Sequence, residues 1–317
     1  MTEFKRGLSK DLTKALNDLA LEHGKNWWKE VLANKKLLLA VRGGYLNAYS
    51  QGQSIFKVGP GLNDGNPVVS IHYKYLLEPS RPGKEYISFT GKSFVVEPRD
   101  VICTNYKTDK TLDRLIDAAS YYASEEKKGV HAIALQNKTV VDLEVAFTET
   151  GEVGEDARER RIDLAALHKD GEGKAKLVFY EAKRADDPRL RARSNSEAEV
   201  VKQMESYDKF LHTSASHLAR AYKDVCATLV KLCSSNLRSL DPIIGEVGAE
   251  TRTLSVDQVA RLLVFGFDQD QKFGELFMRH IETLQRCLAG RVVAKGNPAS
   301  FDLLSDYVRF PPSAPAA

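Results

Sequence analysis

"KLVFYEAKRADD", residues 176–187, decides how the rest of the chain is read. Leu177 to Tyr180 form an apolar run of strand length, bounded by charged residues, and read as a buried strand. The run ends on Glu181 and Lys183. Strand period two puts both side chains on one face, with Ala182 on the other. The triplet alone is common here, since Glu3/Lys5, Glu125/Lys127, Glu126/Lys128 and Glu172/Lys174 share its spacing. Those pairs lie in polar or helical settings, where the spacing has no such geometry. Only Glu181 and Lys183 follow a buried apolar run.

The preceding stretch, "RRIDLAALH" over residues 160–168, reads as another strand and carries Asp163. A hairpin between the two strands brings Asp163 toward Glu181, with the register left open by the loop. Clustered carboxylates repel each other, and a divalent cation satisfies both. Oxygen-only ligation favours Mg²⁺ or Mn²⁺ over zinc. Such an ion activates a water and neutralises charge developing on a phosphate. A neighbouring lysine positions that water or helps to deprotonate it. Downstream, Gln203 and Tyr207 are four residues apart and share one face of an expected helix. In "VVDLEVAF", residues 140–147, Asp142 and Glu144 share a face amid apolar residues. Acids on a core strand are costly unless paired or metal-bound. Arg184, Arg189, Arg191 and Arg193 outnumber Asp186 and Asp187 beside the strand end, as expected where a phosphodiester backbone is held. The structural alternatives are a salt-bridged strand end and a solvated arginine loop.

The wider pattern fits an α/β chain in two parts. Residues 1–105 read as an α+β domain: an amphipathic helical stretch with Ser9 or Asp11 as cap and a break at Gly24, then three short strands, then two more. Residues 106–297 read as α-β-β-β-α-β-α-β, which suggests a mixed sheet packed on both faces. One helix is expected over "TLDRLIDAASYYASEEKK", and another from Ser196 to about Cys233 that "HTSASH" interrupts. The tail, residues 298–317, ends in "FPPSAPAA" and is expected to be partly disordered. The formal net charge is only +3, so bulk charge does not announce nucleic-acid binding. The 4 cysteines show no zinc-ligand spacing and suit a reducing compartment. With no signal-peptide or membrane-span pattern, a soluble cytoplasmic protein is expected.

Asp163, then Glu181-Ala182-Lys183, then Gln203-x-x-x-Tyr207 resembles the PD-(D/E)XK nuclease superfamily, and the glutamine-tyrosine helix resembles its RecB-type branch. The strand order resembles that family's restriction-endonuclease-like αβββαβ core. The likeness covers about residues 108–296 and leaves 1–105 unexplained. It departs from the family name in one place, where Ile162 stands for the proline. The resemblance implies a Mg²⁺-dependent nuclease, with Mn²⁺ as a substitute, acting on DNA. It implies Asp163, Glu181 and the Ala182 carbonyl as metal ligands, and Lys183 serving the attacking water. Gln203 and Tyr207 would support the site or touch the nucleic-acid backbone. It further implies an upstream acid, for which Glu144 is favoured over Glu125 and Glu126. A role in bacterial restriction or phage defence follows by analogy. Two further readings share the pattern: a non-cutting module that binds nucleic acid or a partner, and an effector silent until triggered through residues 1–105. Those residues would serve recognition, regulation or oligomerisation. A homodimer is expected where both strands are cut.

Overall fold

The computed structural model describes residues 4–61, 66–76, 86–95, 104–147, 160–192 and 197–308. The chain is of the α/β class and divides into two units. The first comprises Met1–Phe4, Ala132–Arg220 and Arg252–Ala317. The second comprises Lys5–His131 and Ala221–Thr251.

The first unit is built on one mixed sheet. Strands β6 (Val140–Phe147), β7 (Arg160–Lys169) and β8 (Lys174–Arg184) are antiparallel neighbours. β10 (Arg261–Phe265) runs parallel to β8, and β11 (Val292–Ala294) runs parallel to β10. The order is β11-β10-β8-β7-β6, and β9 (Thr253–Val256) pairs with the opening residues of β8. Leu177 to Lys183 are all buried, as a strand covered on both faces requires. One face is covered by α5 (Glu199–Leu232), whose Val200, Met204, Tyr207 and Leu211 form the expected buried stripe. "HTSASH" does not interrupt this helix. The Thr213 hydroxyl donates back to the Lys209 carbonyl at 2.9 Å, so its polar group is satisfied within the helical turn.

The opposite face carries His168 and Tyr180, joined at 2.9 Å between the ring Nε2 and the phenol oxygen. The Tyr307 ring lies 4.7 Å from the His168 ring. Burial, helped by the Arg261 charge, pushes the His168 imidazole down to about 4 from its ordinary 6.5. Between these values the unfolded chain binds the extra proton. Folding stability is therefore expected to fall as the pH drops from 6.5 to about 4, by up to about 3 kcal/mol. Urea midpoints at pH 4.5 and 7 measure this, and the difference should shrink in His168→Gln; an unchanged difference would refute it.

The second unit holds an antiparallel sheet of order β1-β2-β3-β4-β5. Its strands are Leu38–Val41, Leu46–Ser50, Gln53–Gly59, Val68–His72 and Tyr86–Phe89. Helices α1 (Lys10–Leu21) and α2 (Trp27–Ala33) precede it, separated around Gly24 as expected. Ser9 caps α1, its hydroxyl accepting from the Leu12 amide at 3.2 Å. Trp27 and Trp28 are buried, and Trp27 meets Phe56 and Phe89 in an aromatic core. After α2, the Arg238 guanidinium donates to the carbonyls of Val31, Leu32, Asn34 and Leu37 at 2.8–3.1 Å.

One expectation is corrected. The stretch after Thr108 is not one helix but two, α3 (Thr111–Tyr122) and α4 (Glu125–Gln136). The Ser124 hydroxyl accepts from the Lys127 amide at 3.3 Å, and Glu125 and Glu126 fill the new first turn, so α4 starts on its own cap. Residues up to 131 and the segment 221–251 group with the N-terminal strands. The buried face of α3, including Leu112, Leu115 and Ile116, packs on β2 and β3. Within the tail, Leu303–Val308 form a helix, with Phe301 and Leu303 fully buried. Residues 309–317 lie outside the described residues.

Candidate functional site

The hairpin turn between β7 and β8 closes with the Asp170 amide donating to the Lys174 carbonyl at 3.0 Å. That closure sets Leu164 opposite Tyr180 and carries Asp163 to the level of Glu181. At the strand end, the Ala182 amide donates to Asp163 Oδ2 at 2.8 Å. A carboxylate here does what a main-chain carbonyl does elsewhere in the ladder.

Glu181 and Lys183 are both about 2% exposed, and the Lys183 ammonium donates to Glu181 Oε1. The same ammonium lies 3.4 Å from the Ala182 carbonyl. From α5, Gln203 Nε2 donates to Glu181 Oε1 at 2.9 Å and to the Tyr207 hydroxyl at 2.5 Å. Tyr207 in turn donates to the Arg161 carbonyl at 2.8 Å. Glu181, Lys183, Gln203 and Tyr207 thus meet in one hydrogen-bonded group, with Asp163 bound to the Ala182 amide beside it.

The electrostatics are those of a crowded anionic site. Burial, then the Glu181 carboxylate, push the Asp163 carboxyl well above the usual range; the Lys183 charge opposes them and Glu144 adds to them. Burial and the Glu181 charge likewise raise the Tyr207 phenol, which stays protonated and able to donate. Glu144 sits opposite Asp163, between the pairs Leu143↔Leu164 and Val145↔Ile162. Its φ is +50°, a left-handed conformation that is strained for a non-glycine residue within a strand. Its carboxylate reaches the Arg161 guanidinium at 3.6 Å. Asp142, which alternation put on the same face, is buried and accepts from the Leu143 amide at 2.8 Å.

Of the arginines, Arg184 pairs with Asp186 and Arg189 with Asp187, so the local excess of positive charge is smaller than their number suggests. Arg191 is exposed, and Arg193 lies outside the described residues. Asp187, noted only as a counter-charge in the arginine run, lies close enough for the Lys183 charge to act on it. Burial pushes its carboxyl up, but the Arg189 hydrogen bonds outweigh this and hold it below the usual range, and Lys183 adds to that effect.

Among the described residues, no group of three or more His, Cys, Asp and Glu side chains is arranged to hold a metal. Magnesium requires less: one or two carboxylates, with water completing its shell. Asp163 and Glu181, on adjacent strands, and the Ala182 carbonyl form such a hard oxygen set. Burial and the neighbouring Glu181 carboxylate both disfavour the ionised form of Asp163. In donor chemistry, this oxygen set suits a hard divalent cation. Among the described residues no helix is long and apolar enough to cross a membrane. No protein-family model, no curated protein and no solved structure matches the chain.

Proposed function

We propose that the chain is a Mg²⁺-dependent nuclease of the PD-(D/E)XK superfamily, with DNA as its substrate. One observation carries the reading. Four side chains from β8 and α5, Glu181, Lys183, Gln203 and Tyr207, share one hydrogen-bonded group, and Asp163 of β7 accepts from the Ala182 amide between Glu181 and Lys183. The succession α4-β6-β7-β8-α5, followed after a short helix (Pro242–Gly248) and β9 by β10 parallel to β8, supports a restriction-endonuclease-like core.

Each residue has a part that follows from its position. Asp163, Glu181 and the Ala182 carbonyl would hold the cation. When bound, Mg²⁺ lowers the pKa of a coordinated water and offsets charge building on the phosphate. Lys183 leaves Glu181 and orients the attacking water as a hydrogen-bond donor. Gln203 holds the Glu181 carboxylate, and Tyr207 anchors Gln203 to the start of β7. Glu144, opposite Asp163 on β6, would be the further acid at the cation.

Plasmid, linear duplex, single-stranded DNA and RNA incubated with Mg²⁺, Mn²⁺ or EDTA test the reading. DNA cutting with either cation and none in EDTA is expected. Binding without cutting under every condition would replace the nuclease with a binding module of the same architecture.

A further inference from the structure

The segment after Lys183 interlaces two arginines with two aspartates. Arg184 donates Nε to Asp186 Oδ1 and Nη2 to Asp186 Oδ2, both at 3.0 Å. Two residues on, the order reverses: Arg189 donates its amide and Nε to Asp187 Oδ1 at 2.9 and 3.0 Å, and Nη2 to Oδ2 at 2.5 Å. Both pairs use the two-pronged geometry by which a guanidinium also grips a phosphodiester.

The pairs differ in burial and so in what they can do. The Asp187 side chain is 7% exposed, and it caps the 3-10 turn Pro188–Leu190 as well as holding Arg189. It belongs to the framework. The Asp186 side chain is 65% exposed and Arg184 is 32% exposed. Exposed pairs of this kind contribute about 0–1 kcal/mol, so a competing oxyanion displaces the carboxylate at little cost. Arg184 itself is well anchored. It is next in sequence to Lys183, pairs in register with Phe265 of β10, and lies 3.7 Å from where a Cβ on Gly266 would stand.

We infer that Asp186 is an intramolecular stand-in for a backbone phosphate: it occupies the Arg184 guanidinium in the unbound protein and yields it to a nucleic-acid strand entering the site. The inference rests on the nucleic-acid reading above and adds a regulator to it. A polyanionic strand presents Arg184 with an oxyanion held in place by the strand's other contacts, so it displaces Asp186 more effectively than a free phosphate does. "RADD" is then a masked anion site beside the proposed catalytic residues.

A double-mutant cycle tests this by fluorescence anisotropy with labelled duplex and single-stranded DNA. Binding is read at low salt in EDTA and again in Ca²⁺. Asp186→Asn is expected to tighten binding about three- to fivefold, the scale of one exposed ion pair. Arg184→Ala is expected to weaken it. In the Arg184→Ala background, Asp186→Asn should change Kd less than about 1.5-fold, because nothing remains to unmask. An equal gain in both backgrounds would show a general charge effect and overturn the inference. So would no gain, or weaker binding, in Asp186→Asn alone. If none of the four proteins binds DNA in either buffer, the nucleic-acid reading itself is overturned, a result distinct from DNA binding without the Arg184-dependent gain.

Discussion

Asp163→Asn is expected to abolish metal-dependent cutting and, in the same protein, to raise the melting temperature measured in EDTA. Both effects have one cause. The Asp163 carboxyl is buried beside Glu181, with Glu144 adding to the repulsion, and its raised pKa records that the ionised form is disfavoured there. Asparagine keeps an oxygen for the Ala182 amide and removes the repulsion, so the cation-free fold gains. Each kcal/mol gained corresponds to roughly 2–4 °C for a domain of this size. Mg²⁺ should raise the melting temperature of the wild type but not of the variant, because binding to the folded state alone stabilises by mass action. Lys183→Ala is the informative contrast. It lowers the cutting rate by roughly 10²-fold, the scale of losing the group that orients a reactant. It lowers stability as well, because it leaves the buried Glu181 carboxylate without its ammonium. Cutting that survives both changes, or an Asp163→Asn protein that melts lower in EDTA, would sink the site assignment.

Arg238→Ala should be the most destabilising single change in the second unit. Four carbonyls at and beyond the end of α2 accept from this one guanidinium. The last carbonyls of a helix have no partner within it, so the arginine does the work of a cap. A buried acceptor left unmet costs about 1–3 kcal/mol, and water reaches some of these groups in a half-buried site. A loss of roughly 3–5 kcal/mol is therefore expected, read as a lower urea midpoint with unchanged slope. Arg238→Lys should recover less than half, because an ammonium cannot meet four acceptors from one planar arrangement. A loss under about 1 kcal/mol for Arg238→Ala would mean that the carbonyls are satisfied without it.

The comparison of Arg238 with Glu181 explains what the sequence revealed. Glu181 and Lys183 were legible because period-two alternation on a buried strand assigns faces without any tertiary knowledge. Gln203 and Tyr207 were legible for the same reason on a helix, and the apolar stripe of α5 placed their face inward. Arg238 has no such periodic context, and in its sequence it resembles any loop arginine. The register of Asp163 also stayed open, because it depends on the turn at Asp170, where the sequence permits several closures. The regrouping of α3 and residues 221–251 with the N-terminal strands leaves no mark in composition, since it is decided by which apolar face finds which partner. The left-handed backbone at Glu144 was equally hidden, because glutamate gives no local signal for it.

The Ala182 amide, bound by a side chain of the next strand, has a consequence for tempo. β8 is held by β7 on one edge and by β9 and β10 on the other, and the Asp163 carboxylate extends that hold to the strand's last turn of pleat. On the proposed reading, passing Glu181 from an ammonium to a cation would require rotation about the side-chain bonds of Lys183, with the strand still closed. Opening the strand would belong to the microsecond-to-second events of local unfolding, whereas side-chain rotation is far faster. Such a site would answer the arrival of an ion without waiting for the fold to breathe.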